Sequence, residues 1–136
     1  MARLRVETNV GLVRREGSRQ LRAHNNKFVR KIDRRPLAIT LREGDKIVGG
    51  LVGETYWGWF FVEQLWVSNE QRGKGHGEAL VRKAEAEARK RGMRHVYLYT
   101  YSFQAPGFYK KLGYRTFGKQ NNFPAGHDRF WLMKAL

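Results

Sequence analysis

The chain has 136 residues, 41% of them hydrophobic and 13% aromatic, enough for one packed domain and too apolar for a disordered tail. Lys and Arg total 27 against 12 Asp and Glu, a formal charge of +15 that attracts polyanions. Cysteine is absent, which excludes disulfides, a thiol nucleophile and a thiolate metal site; His24, His76, His95 and His127 stand far apart, so no metal is expected either.

Met1 to Val10 carries charges where a secretory signal would be apolar. No later stretch approaches the roughly 20 apolar residues of a membrane helix. A cytoplasmic chain is therefore expected, and its length predicts a single domain over 1–136. Arg3 to Glu7 reads as a short strand with Leu4 and Val6 on one face. Asn9 to Lys31 reads as one or two helices, with Ser18 as a candidate cap and Pro36 closing the helical region. Arg14, Arg15, Arg19, Arg22, Lys27, Arg30, Lys31, Arg34 and Arg35 crowd this region, which raises nucleic-acid contact as a reading that is weighed but not favoured.

Three strands follow: Leu37 to Arg42, Ile47 to Tyr56 and Trp59 to Val67, with turns at 43–46 and at Gly58. Gly77 to Arg91 places Ala79, Leu80, Ala84 and Ala88 at helical spacing, and Gly92 stops it. His95 to Tyr101 alternates as a strand. Gln104 to Leu112 is a short helix ended by Gly113. Tyr114 to Phe117 opens a strand, 119–126 is a loop containing Pro124, and Asp128 to Lys134 is the last strand. A meander leading into a crossover helix predicts an α/β (α+β) fold with a mixed sheet.

The segment with most chemistry is Gln71-Arg72-Gly73-Lys74-Gly75-His76-Gly77, between a strand and a helix. A helix N-terminus has unpaired N–H groups and partial positive charge. Glycines let a ligand approach the backbone, so the place suits a phosphate or pyrophosphate. It is not the phosphate loop of nucleotide hydrolases, which needs Lys followed by Ser or Thr after its last Gly; here Glu78 follows Gly77. The dinucleotide fingerprint needs a parallel first strand, and a kinase needs a longer chain and further motifs.

Arg72-Gly73-Lys74-Gly75-His76-Gly77 resembles the pyrophosphate loop Q/R-x-x-G-x-G/A of the GCN5-related N-acetyltransferase (GNAT) superfamily. Ala105-Pro106-Gly107-Phe108-Tyr109-Lys110-Lys111-Leu112-Gly113-Tyr114 resembles that family's A-x-x-x-Y-x-K-x-G-F/Y segment. The element order resembles the family's from Arg3 to Lys134, and two motifs in order are more specific than either alone. The resemblance implies a mostly antiparallel sheet whose two parallel central strands splay. It implies acetyl-CoA as cofactor, held by the loop and by the backbone of Leu65, Trp66 and Val67. It also implies an N-acetyltransferase in which an amine attacks the thioester directly.

On that resemblance Tyr109 protonates the leaving thiolate, unless it is only a core aromatic; a phenol of pKa about 10 suits the task. The family often has Asn where this chain has Ser102, so that cofactor contact departs from the pattern. Glu63, placed by strand alternation on the face of Leu65, is the candidate base, and Glu54 on the preceding strand is a catalytic candidate for holding the amine or ordering a water, with pairing to Arg as the rival of both. The Val67 N–H is a candidate oxyanion donor. Trp57, Trp59, Phe60 and Phe61 cluster at the hairpin that would border the acceptor site, either to flank an amine or as core or a dimer interface, and His127 near the last strand either reaches the acceptor groove or is structural. The acceptor is a primary amine of a small molecule or protein; the alternatives are an RNA- or ribosome-associated acceptor, or a basic nucleic-acid-binding module with a degenerate fold. A homodimer is the commonest assembly to expect.

Overall fold

The computed structural model describes the whole chain, Met1–Leu136. It divides into two compact units, Met1–Ile32 and Asp33–Leu136. The first holds one helix, α1, Val10–Asn25. The cap is Asn9, whose side chain accepts from the Leu12 N–H at 3.0 Å, so the expected Ser18 cap lies inside the helix instead. The helix ends at the weak helix formers Asn25 and Asn26, well before Pro36. The strand expected at Arg3 to Glu7 does not form. A lone short segment gains nothing from an extended backbone without a ladder partner, and Leu4 and Val6 stay exposed.

The second unit carries the sheet. Its elements are β1 (Arg35–Glu43), β2 (Lys46–Tyr56), β3 (Trp59–Val67), a 3₁₀ turn (Asn69–Gln71), α2 (His76–Lys90), β4 (His95–Tyr101), α3 (Pro106–Lys111), β5 (Arg115–Asn121) and β6 (Asp128–Ala135). The strand order is β1-β2-β3-β4-β6-β5, and only β3 and β4 run parallel. The mixed, mostly antiparallel sheet with flanking helices is thus the one expected. The difference lies in β5, which continues through Lys119–Asn121 into the expected loop because those residues pair with Phe130, Arg129 and Asp128. No helix is long and apolar enough to cross a membrane.

One sheet face makes the core. Leu37, Leu51, Phe60, Val62, Val96, Leu98 and Leu132 meet Leu80, Val81, Ala84 and Ala88 of α2, with Tyr109 of α3 and Leu112 just after it. Removing this apolar surface from water at about 25 cal/mol per Å² is what holds α2 and α3 to the sheet. One charged residue shares the core: Glu85 is 1% exposed. It accepts from the Tyr114 hydroxyl at 2.8 Å and pairs with Lys134 Nζ at 3.0 Å. A buried carboxylate persists only when so paired.

Two local features open this sheet. The parallel pairing of β3 with β4 covers only Trp59–His95, Phe60–Val96 and Phe61–Tyr97, after which the strands part. β3 also carries a bulge: Gly53 lies opposite Val62 and Val52 opposite Gln64, so Glu63 is the extra residue. Gly53 permits it, because a Cβ there would overlap the Phe61 carbonyl oxygen and stand 2.7 Å from Phe60 Cε1. The bulge moves the core-facing series from Phe60 and Val62 to Leu65 and Val67. The simple alternation that aligns Glu63 with Leu65 therefore fails across it.

Candidate active site

Where β3 and β4 part there is a cleft of ≈ 1050 Å³. Leu65, Trp66 and Val67 form one wall, with Glu63 and Gln64 at the bulge. Leu98, Tyr99 and Thr100 of β4 form the other. Arg72, Gly73, Gly75, His76 and Gly77 close one end, and Phe108 and Tyr109 of α3 another side. Residues from four separate elements thus converge, as the sequence motifs required.

The backbone of β3 is turned to receive a ligand. The Ser68 N–H donates back to Val48 of β2 at 2.8 Å. Donors alternate along a strand, so the N–H groups of Val67 and Leu65 turn the other way, into the gap. The Val67 carbonyl is already taken by Arg72 Nε at 3.1 Å, which ties the loop to the strand end. This leaves the N–H groups of Leu65 and Val67 and the terminal guanidinium N–H groups of Arg72 as donors.

The loop itself is built by backbone geometry. Gly75 caps α2 with φ 82° and Gly73 has φ 74°, conformations that L side chains rarely adopt. A Cβ built on either would meet no atom within 4 Å, so open space lies beside the backbone. Exposed N–H groups at a helix start next to open space fit a pyrophosphate. At Gly77 a Cβ would lie 3.4 Å from Phe108 Cζ, which brings α2 close to α3.

Tyr109 is 9% exposed, and burial pushes its phenol up to about 12. It is therefore protonated throughout the neutral range and has a proton to give. Its ring packs edge-on to Phe108 and Tyr114. The core-aromatic and cleft-lining descriptions of Tyr109 are both true of it. Tyr114, below it, is raised further by burial and by the Glu85 carboxylate.

Three expected site residues do not line the cleft. Glu54 sits on β2 in an ion pair with Arg34 at 2.6 Å, the rival arrangement weighed for it. The Arg34 guanidinium also lies 4.2 Å from the Tyr56 ring centroid. Ser102, at the end of β4, accepts from the Asp128 N–H at 3.0 Å and stands 3.4 Å from His127 Nδ1. Lys74 does not line the cleft, whereas Arg72 and His76 do. Trp57, Trp59, Tyr56, Tyr97 and Phe117 line a separate apolar hollow of ≈ 280 Å³ rather than this cleft.

Other cleft residues have no sequence signal of their own. Gln104 Oε1 accepts from Thr100 Oγ1 at 3.2 Å and from the Tyr101 N–H at 3.3 Å, fixing the turn after β4. Phe103, Ala105 and Phe108 complete that side. Gln71 donates to Glu43 at 2.6 Å and joins the loop to β1.

The chain matches the family model "Acetyltransferase (GNAT) family" over residues 5–114. It is 41% identical over 95 residues to a blasticidin-S acetyltransferase of Streptomyces morookaense, covering 69% of this chain and 70% of that protein. It is 38% identical over 105 residues to acetyltransferase Atu2258 of Agrobacterium fabrum strain C58, covering 76% and 77%. An acetyltransferase structure from Bacillus cereus ATCC 14579 superposes with a TM-score of 0.89 and 29% identity over 98% of both chains. The splayed strands, the glycine loop and the match over most of the sequence agree, and the chain belongs to the GNAT family of acetyltransferases.

Proposed function

We propose that this enzyme transfers an acetyl group from acetyl-CoA to a primary amine of a small molecule. The observation that carries the reading is the cleft between β3 and β4, which has the glycine loop at one end and the buried Tyr109 at its side. A relative 41% identical is named for a small molecule, which supports that acceptor class over a protein amine. A cytoplasmic protein whose working unit spans 1–136 belongs to the same reading.

When bound, acetyl-CoA supplies a thioester whose carbonyl carbon bonds to the amine nitrogen as its bond to sulfur breaks. The residues do the rest. The N–H groups of the Gly73 to Gly77 segment, with Arg72, hold the pyrophosphate. The N–H groups of Leu65 and Val67, turned into the gap, would hold the pantetheine arm. Glu63, at the bulge, takes the proton from the attacking nitrogen, directly or through water. Tyr109 gives its proton to the departing sulfur, and exchange with solvent resets both groups. No residue is acylated, so catalysis is positioning plus proton handling.

The test is a panel of amines incubated with acetyl-CoA and the enzyme, read by mass for the gain of one acetyl group. Acetylation of at least one small amine at an enzyme-dependent rate is expected. A panel in which only lysine-bearing proteins are acetylated contradicts the small-molecule reading.

A further inference from the structure

The cleft opens on both faces of the sheet. Leu65, Leu98, Thr100 and Tyr109 belong to the core face, where α2 and the glycine loop stand. Gln64, Trp66 and Tyr99 belong to the other face, because their ladder partners Val52, Gly50 and Trp131 point away from the core. On the acetyltransferase reading, the loop brings the cofactor in from the core face. The acceptor then reaches the thioester from the opposite mouth.

Beside that mouth, Tyr99 of the cleft wall joins an aromatic cluster that surrounds one cation, Arg129. Tyr99 is 36% exposed and stacks toward Phe61. Arg129 on β6 lies opposite Tyr101 of β4. Its guanidinium carbon is 4.1 Å from the Phe123 ring centroid, 4.9 Å from Tyr99 and 5.0 Å from Trp131. Its Nε donates to Gln120 Oε1, which also accepts from Trp131 Nε1 at 3.1 Å. Arg129 makes no ion pair, since the adjacent Asp128 is taken by Lys119 at 3.6 Å.

A guanidinium between aromatic rings is held rigidly and partly dried. Its planar faces are used by the rings, and its free edge keeps the two-pronged N–H pattern that matches a carboxylate. The Gln120 contact uses Nε alone and leaves the terminal nitrogens uncommitted. Rigid, half-buried and unpaired is the state in which an arginine binds an anion most selectively.

We propose that Arg129 selects the acceptor by gripping a carboxylate that it carries beside its amine, while Tyr99, Phe123 and Trp131 flank its apolar body. The substrate class is then an amine that is also an acid. The proposal rests on the acetyltransferase reading, because only that reading makes this mouth the acceptor's entrance.

The experiment is calorimetric titration of 3-phenylpropionate and 3-phenylpropanamide into the CoA-loaded protein, for wild type, Arg129→Lys and Arg129→Gln. Wild type should bind the acid at least ~10-fold more tightly than the amide. Arg129→Gln should erase that difference and leave amide and CoA binding unchanged, with Arg129→Lys keeping part of it. A wild type indifferent to the carboxylate overturns the proposal. So does an Arg129→Gln protein that keeps the preference, or one that loses acid and amide alike, which would make Arg129 only a support for the aromatic rings. CoA titrated alone separates the two levels: failure of wild type to bind CoA removes the acetyltransferase reading, whereas CoA binding without acid preference removes only the role of Arg129.

Discussion

Gly53 and Phe61 touch through backbone alone: a Cβ on Gly53 would collide with the Phe61 carbonyl oxygen, at the point where β3 gains its extra residue Glu63. The missing side chain on β2 thus positions a carboxylate on β3 and switches which residues beyond it face the core. Gly53→Ala should force the bulge to shift, at a cost of about 1–3 kcal/mol typical of overpacking. We expect a lower urea midpoint and acetyl transfer reduced at least ~10-fold, since small displacements of positioning groups are costly. Full activity in the variant would mean that the bulge does not position Glu63 for catalysis.

Tyr109→Phe should lower turnover by roughly 10²-fold while acetyl-CoA still binds, as expected for loss of a proton donor. Its raised pKa also fixes the pH behaviour. A phenol held at about 12 stays protonated below that pH, so any alkaline limb in the rate well below 12 belongs to another group. For stability the sign is the opposite of a carboxylate's. The folded state keeps the proton that the unfolded chain loses near pH 10, so the contribution is full below about 10 and fades as pH rises through about 12. Tyr97 and Tyr114, both raised by burial, act in the same direction. Urea midpoints measured between pH 8 and 11.5 should fall at the alkaline end, less so in Tyr109→Phe.

Lys134→Met should destabilise the fold strongly. It leaves the buried Glu85 with only the more distant Arg82, at 4.0 Å, as a cation, a loss of up to about 3–5 kcal/mol for broken buried pairs. Pairing it with Glu85→Leu should recover much of the loss, because an apolar pair needs no partner. Urea unfolding of the two singles and the double, taken as a cycle, measures the coupling. A double variant no better than Lys134→Met alone would show that the pair is not what limits stability.

Much of this was legible in the chain. β3 and β4 have the limits read for them from hydrophobic runs and turn residues, and the loop was legible because glycines, basic residues and a strand-to-helix junction coincide in one short segment. Tyr109 was legible through its spacing to Ala105 and Gly113. What stayed hidden depends on distant partners. Glu85 looks like a solvent-facing helix residue until Lys134, 49 residues on, is seen beside it. Glu54 reads as a candidate for holding the amine or ordering a water until Arg34 is found to pair with it. The bulge had a signal, a glycine inside a strand, but which residue it displaces depends on the register of the facing strand. Thr100, Phe103 and Gln104 enter the site only because β3 and β4 separate, which no local pattern encodes.

The central claim is that the glycine loop and the gap beside β3 bind acetyl-CoA, and calorimetric titration of wild type and Gly75→Val tests it most directly. Gly75 holds φ 82° at the start of α2, so a branched side chain there strains the backbone that presents the loop's N–H groups while leaving the core untouched. Wild type should show saturable one-site binding, and Gly75→Val at least ~10-fold weaker binding while it still unfolds in one cooperative urea transition. Equal binding by the two proteins, or none by wild type, would contradict it.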